Sequence, residues 1–239
     1  MKKSIKKIIE SLGYKIYNKY FMDCGIDLSY DVSQFSNLND IKIVFDIGAN
    51  EGYMSDLYHN IFPNSDIYAF EPVSSTFQLL SKKVKNKKRI TSHNFGFSNK
   101  IHEEKIYLQS DSGFNSVSKK VNKPDHNMGN KFETIRLDTI DNFCYKNNIN
   151  YIDFLKSDTE GLDLLVLKGG ENLIKKGGIK YILIEVGFNE DNHRNTNFEE
   201  VRKYLYNYGY KLRAFHDQHN YGNVPYITCV NALFFHQST

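Results

Sequence analysis

Val44-Phe45-Asp46-Ile47-Gly48-Ala49-Asn50-Glu51-Gly52, followed by Ala69-Phe70-Glu71-Pro72, is the stretch whose reading decides the fold. A short apolar run ends in an acid, turns through two glycines and enters a helical pattern. A second apolar run ends in another acid. Crevices in open parallel sheets form at the carboxyl ends of strands, so Asp46 and Glu71 are expected to face one crevice. Gly48 lets the chain turn sharply, and Gly52 lets backbone approach a bound molecule closely. Glu71 stands where an acid accepts hydrogen bonds from the two hydroxyls of a ribose.

The glycine spacing selects the nucleoside. A nicotinamide-binding turn reads G-x-G-x-x-G, because a pyrophosphate sits on backbone amides at a helix start. Here the pattern is Asp46-x-Gly48-x-x-x-Gly52. A carboxylate ahead of the turn repels a pyrophosphate and suits a cationic amino group. S-adenosylmethionine carries an ammonium, a sulfonium and a ribose, and no phosphate. On these residues the chain resembles the class I methyltransferases. The plainer alternative is a strand-turn-helix whose glycines serve packing only; it leaves two acid-terminated strands at consistent spacing unexplained.

Outward from this stretch, strands and helices alternate from Ile41 onward, which argues for a parallel sheet with helices on both faces. Strands are expected at 41–45, 66–70, 90–95, 151–157 and 181–185, with closing strands at 211–215 and 229–235. Helices are expected at 52–61, 74–88, 139–147, 162–175 and 198–208. Additional strands at 104–108 and 132–136 flank a polar segment, 109–131, long enough to read as a lid or substrate loop. Its run Ser110-Asp111-Ser112-Gly113-Phe114-Asn115-Ser116 suits a closing loop or a solvated turn equally.

Residues 1 to about 22 read as an amphipathic helix, with Ile5, Ile8, Ile9, Leu12 and Ile16 at helical spacing and Lys2, Lys3, Lys6, Lys7 and Lys15 mostly on other faces. It either packs on the main domain or makes peripheral contact with an acidic membrane surface or lipid-linked substrate. Residues 25–40 are polar and read as a linker or irregular cover. The domain division is therefore 1–40, an N-terminal helical segment and linker, and 41–239, the main domain.

Composition narrows the class. The 239 residues suffice for one large domain, and 40% are hydrophobic, enough for a sizeable core. A formal net charge of +3 is too small to argue for nucleic acid. Cys24, Cys144 and Cys229 are far apart in sequence, which gives neither a C-x-x-C site nor a disulfide framework and fits a reducing cytoplasm. No apolar run approaches the roughly 20 residues needed to span a bilayer. The basic N-terminus lacks a continuous apolar core, so it does not read as a secretory signal. Oligomeric state leaves no trace in the sequence.

A second dense motif, Ile152-Asp153-Phe154-Leu155-Lys156-Ser157-Asp158-Thr159-Glu160-Gly161, continues to Val166-Leu167-Lys168-Gly169-Gly170. Together with Phe45 to Gly52, Phe70-Glu71-Pro72 and Leu137-Asp138, this ordered set resembles the FkbM family of methyltransferases. Ser157 stands where that family usually has an aliphatic residue, and Asp163 where it usually has Glu. The resemblance implies an α/β fold, a Rossmann-like seven-stranded methyltransferase sheet, and S-adenosylmethionine-dependent O-methylation, commonly of sugars or natural-product hydroxyls. It also implies that Asp46, Gly48, Asn50 and Gly52 line the methionine end of the cofactor. Glu71, with Pro72 after it, would hold the ribose. Asn94, Gly96 and Ser98 would sit near the adenine, and Asp158 beside the methyl group.

The chemistry has its own logic. Methyl transfer is an in-line displacement at a sulfonium carbon, and the cofactor supplies the reactivity. The protein aligns the acceptor oxygen and removes its proton late, because an alcohol is a weak acid. Candidate bases at strand ends are Asp158, Glu160, Glu185 and His216. Glu160 can equally stabilise a helix N-terminus, and His216, in the polar run 215–220, can equally be a surface residue. Asp158 and Glu185 end consecutive strands and could share a Mg²⁺, but direct hydrogen bonding of substrate hydroxyls is the favoured reading, with no metal. His216 and His219 with Asp217 could form a transition-metal site, but two histidines on a loop are a weak signal.

The function expected is O-methylation of a hydroxyl on a sugar, glycan or glycolipid precursor. The alternatives are a non-catalytic S-adenosylmethionine-binding module, or a nicotinamide-dependent oxidoreductase, which the glycine spacing disfavours. Nucleobase N-methylation would show an Asn- or Asp-Pro-Pro-aromatic motif, and the chain has no Pro-Pro.

Overall fold

Apolar runs covered on both faces become parallel strands, and this chain supplies five. The computed structural model describes residues 2–18, 21–108, 132–189, 192, 194–220 and 224–237. Helices α1 (Lys2–Ser11) and α2 (Leu28–Ser33) precede β1 (Ile43–Ile47), α3 (Tyr53–Ile61), β2 (Asp66–Phe70), α4 (Ser74–Val84) and β3 (Ile90–His93). A second sheet follows, from β4 (Gly96–Phe97), β5 (His102–Tyr107) and β6 (Phe132–Asp138). The chain continues through α5 (Ile140–Lys146), β7 (Ile152–Ser157), α6 (Asp163–Gly169), α7 (Glu171–Lys175) and β8 (Ile179–Gly187). It ends with β9 (Thr196–Asn197), α8 (Phe198–Tyr206), β10 (Tyr210–His219) and β11 (Cys229–His236).

The main sheet runs β10-β11-β8-β7-β1-β2-β3, with short β9 beside β8. Strands β1, β2, β3, β7 and β8 are parallel, and β10 and β11 close the sheet antiparallel. The order reverses between β1 and β7, so the crevice at their carboxyl ends is the topological switch point where such sheets bind ligands. Register there sets Asp46 opposite Lys156 and Ile47 opposite Ser157.

Successive residues of a strand point to opposite faces. Phe45, Ile47, Leu155 and Ile182 face α5, α6 and α8, while Val44, Phe154 and Leu183 face α2, α3 and α4. Asp46 and Lys156 share the second face, at the end where the apolar pattern breaks. This is the expected seven-stranded sheet, with helices on both faces.

Several boundaries differ from expectation. β3 stops at His93 because Asn94 turns away and donates from Nδ2 to the carbonyls of Glu71 (3.0 Å) and Pro72 (3.1 Å). The helix expected at 162–175 divides into α6 and α7, where Gly169 packs against the backbone of Ser98. β10 runs to His219, so His216 lies on a strand rather than in a loop, with a bulge between them where Asp217 has φ +46°.

The N-terminal helix ends at Ser11, well short of residue 22, and its apolar side is largely unpacked: Ile5 and Ile8 are exposed and Ile9 is half-buried. Residues 25–40 form an ordered cover rather than a loose linker. Asp27 caps α2 by accepting from Tyr30 N at 2.7 Å. Fully buried Asp31 accepts from Gly25 N (2.7 Å) and pairs with Arg213 on β10 (3.0 Å). The expected lid, 109–131, lies outside the described residues. No helix among the described residues is long and apolar enough to cross a membrane.

Candidate functional site

The turn after β1 is held from three sides. Gly48 N and Ala49 N both donate to Phe70 O, at 3.0 and 2.9 Å, and Asp158 N donates to Ile47 O at 3.0 Å. Gly48 has φ +77°, and a Cβ there would overlap the carbonyl oxygen of Asp158, so crossing chains require this glycine. Gly52, at φ +83°, opens α3, and a Cβ there would lie 2.6 Å from Leu80 Cδ1. The close neighbour of Gly52 is thus helix α4.

Glu71 reaches under the same turn. Its Oε2 accepts from Asn50 N (3.1 Å) and its Oε1 from Val73 N (2.9 Å). Burial lifts its pKa to about 7 against those two amides. Asp46 is fully buried: Ser55 Oγ donates to Oδ2 at 2.5 Å, and Oδ1 has no hydrogen-bond partner among the described residues. Burial raises its pKa, opposed by the charge of Lys156 and the Ser55 bond.

Above these acids opens a cleft of about 360 Å³, lined by residues 48–51, Tyr53, Met54, Lys156 and Asp158. That volume lies within the roughly 300–1,000 Å³ of small-ligand sites. Lys156 is buried with Nζ 2.9 Å from Asp158 Oδ2. Burial alone would lower its pKa, but Asp158 and Asp46 outweigh it and raise it.

Asp158 also belongs to a second group. Carboxylate oxygens of Asp158, Glu160 and Glu185 lie within 4.8 Å of one another. Arg194 grips Glu160 with two bonds, Nε to Oε2 at 2.5 Å and a terminal nitrogen to Oε1 at 2.8 Å. Burial raises the pKa of Glu160 against that pairing. Asn195 Nδ2 donates to Glu185 Oε2, and Cys229 Sγ lies 3.5 Å from Oε1. Burial first, then the charges of Asp158, Glu160 and Asp163, push Glu185 up to about 8.

Gly48, Asn50 and Asp158 therefore line one cleft; Glu71 lies behind its lining, bonded to Asn50 N, Asp46 lies behind it opposite Lys156, and Glu160 and Glu185 adjoin it through Asp158. Asn94 and Pro72 lie against Glu71 through the Asn94 amide. Gly96 and Ser98 sit deeper: Gly96 packs on Leu137, and Ser98 N donates to Asp138 O at 2.9 Å. His216 stands apart from the acidic group: its Nε2 is 3.4 Å from Asp31 Oδ2 beneath α2, and burial lowers its pKa despite that acid.

Lys156, Arg194 and Asn195 were not expected as site residues. Lys156 was discoverable, since residues two apart on a strand share a face and Asp158 ends that strand. Arg194 and Asn195 reach the site only through the folded connection after β8 and carry no local signal.

The Methyltransferase FkbM domain matches residues 46–212, more than half of the chain. Among solved structures, the chain is similar to methyltransferase FkbM from Methylobacillus flagellatus KT, at 19% identity and a TM-score of 0.56. That match covers 85% of this chain and 46% of the other, so the chain spans less than half of its relative's length. M. capricolum TrmK in complex with S-adenosyl-homocysteine matches at 12% identity and TM-score 0.46, covering 89% of this chain and 70% of that one. Aeropyrum pernix fibrillarin with bound S-adenosyl-L-methionine matches at 13% identity and TM-score 0.45, covering 82% and 67%. No curated protein matches the chain. With a seven-stranded sheet, a cleft at its switch point and the domain match over residues 46–212, the chain belongs to the FkbM family of S-adenosylmethionine-dependent methyltransferases.

Proposed function

We propose that this domain transfers the methyl group of S-adenosylmethionine to a hydroxyl oxygen of a sugar, glycan or glycolipid precursor. The observation that carries this reading is the position of Asp158, which lines the cleft and also belongs to the Asp158–Glu160–Glu185 group.

The residues present fit the cofactor. The buried Asp46 carboxylate keeps an unpartnered oxygen beneath the turn 48–52, suited to a cationic amino group. Glu71 offers remaining lone pairs to ribose hydroxyls, and of Asn94, Gly96 and Ser98, Asn94 lies nearest that acid. When bound, S-adenosylmethionine supplies an electrophilic methyl carbon for in-line displacement. The chain's part is to orient the acceptor and take its proton. Glu185, with a pKa of about 8, becomes a carboxylate basic enough to accept a hydroxyl proton on its oxygen as the new C–O bond forms. Asp158, fixed by Lys156, holds the acceptor beside the methyl group. Glu160, neutralised by Arg194, positions rather than reacts.

Carboxylates interleaved with the donors of Arg194 and Asn195 match vicinal hydroxyls better than an apolar acceptor. Lys156 and Arg194 already place two cations among the three carboxylates, which favours direct hydroxyl binding over a shared Mg²⁺. Family membership argues against the oxidoreductase alternative. Free thiols at Cys24, Cys144 and Cys229 suit a reducing compartment, and we take the cytoplasm as the place of action.

Calorimetric titration with S-adenosylhomocysteine, with NADH as control, tests the cofactor. Transfer of labelled methyl to sugar and nucleotide-sugar hydroxyls, with and without Mg²⁺, tests the reaction. Binding of S-adenosylhomocysteine alone and alkali-stable ether product are expected. NADH binding alone, or cofactor binding without transfer to any hydroxylated acceptor, would overturn the proposal.

A further inference from the structure

The N-terminal helix carries an unpartnered apolar face and the chain's excess charge together. At 100° per residue, Ile5, Ile8, Ile9 and Leu12 fall on one arc of about 100°. Ile5 is 50% exposed, Ile8 61% and Leu12 69%, with Ile9 half-buried, so most of that arc is left uncovered. Tyr14 and Phe21, just beyond, are 68% and 82% exposed. Lys6, Lys7 and Glu10 lie off the arc, with Lys6 3.7 Å from Glu10. Lys2, Lys3, Lys6 and Lys7 against Glu10 leave the helix at +3, which equals the formal net charge of the whole chain. All other residues sum to zero. The helix also lies outside the matched domain, which begins at residue 46.

We propose that α1 docks on an anionic lipid bilayer, with Ile5, Ile8, Ile9 and Leu12 entering the headgroup boundary and Lys6 and Lys7 facing acidic phosphates. Apolar residues on one side and lysines on the other are what an interfacial helix needs, and the charge sets the sign of the lipid. A second copy of this chain fits poorly: pairing two such helices would set +3 against +3, and ten residues are few for a stable helix pair. The inference does not rest on the methyl-transfer reading and survives or fails separately from it.

The test is co-flotation of the full chain with vesicles of phosphatidylcholine alone or mixed with phosphatidylglycerol, at low and high salt. Binding to the mixed vesicles is expected to exceed that to neutral ones by about tenfold or more and to weaken in salt. Ile8→Glu, and separately Lys6→Glu with Lys7→Glu, should each abolish most of that binding. Both sites are exposed, so unchanged melting temperatures will show the fold intact. Equal binding to both vesicles, binding to neither, or full binding by Ile8→Glu would overturn the proposal. So would a concentration-dependent dimer lost in Ile8→Glu, which would give this face to a second copy.

Discussion

The Ser157 hydroxyl donates to Asp163 Oδ1 across 2.7 Å in a space closed to solvent. These two residues, 157 and 163, are six apart in the chain and meet at the start of α6. The same carboxylate accepts from Thr159 N (3.0 Å) and Thr159 Oγ1 (2.9 Å), and its Oδ2 lies 3.1 Å from Thr196 Oγ1. Asp163 thereby fixes both sides of Asp158. The Ser157 hydroxyl provides a donor for an acid that burial would otherwise penalise.

Ser157→Val should destabilise the protein by about 1–3 kcal/mol, because it leaves part of a buried carboxylate unsatisfied. Combined with Asp163→Asn, the two effects should depart from additivity by about 0.5–3 kcal/mol. Urea unfolding of the four proteins of the cycle measures this. Strict additivity would show that the bond contributes nothing.

Glu71→Ala should weaken S-adenosylhomocysteine binding by about 1–3 kcal/mol, the cost of unpaired polar partners. Glu71 also holds Asn50 N and Val73 N, so the turn loosens in this variant. Glu71→Gln keeps an acceptor and should fall between the two. Calorimetry reads all three, and unchanged affinity in Glu71→Ala would refute the ribose assignment.

Asp158→Asn should lower turnover by about 10²-fold, through misplacement of the acceptor, while cofactor affinity changes far less. It also strips buried Lys156 of its ion pair, so the melting temperature should drop. Adding Lys156→Met should restore stability without restoring turnover. Full activity in Asp158→Asn would remove this acid from the reaction.

Glu185 links activity to pH. Its folded pKa of about 8 stands above the ordinary 4.5. Between these values the unfolded chain has lost the proton that the folded chain keeps, so stability falls as pH rises through this window, and the cost is complete above about 8. Turnover should rise over the upper part of the same window, as the carboxylate becomes available to take a proton. Glu185→Gln should flatten both profiles, and at pH 8 it should melt a few degrees higher, at about 2–4 °C per kcal/mol for a chain of this size. A wild-type pH–rate profile flat across this range would exclude Glu185 as the base.

Glu71 and Asp158 were legible in the chain because each terminates an apolar run before a turn, and strand ends of a parallel sheet meet at one edge. Neither the break in the helix at Gly169 nor the stop of β3 at His93 was legible, since each follows from a contact with a distant segment: the backbone of Ser98 and the carbonyls of Glu71 and Pro72. His216 looked like a loop residue because Asp217 and His219 interrupt the strand pattern, and only pairing with β11 carries the strand through the bulge.

By itself the sequence determined the order of the seven main strands, the two-sided burial of the sheet and the acids at its carboxyl edge. Those follow from periodicity and local turn chemistry, which a few neighbouring residues encode. The tertiary structure alone decided which charges share a space. Lys156 stands opposite Asp46, Arg194 holds Glu160, Asn195 holds Glu185, and Asp31 draws His216 under the N-terminal cover. Strand order and register bring residues far apart in sequence within hydrogen-bond reach, and pairing at that range leaves no pattern along the chain.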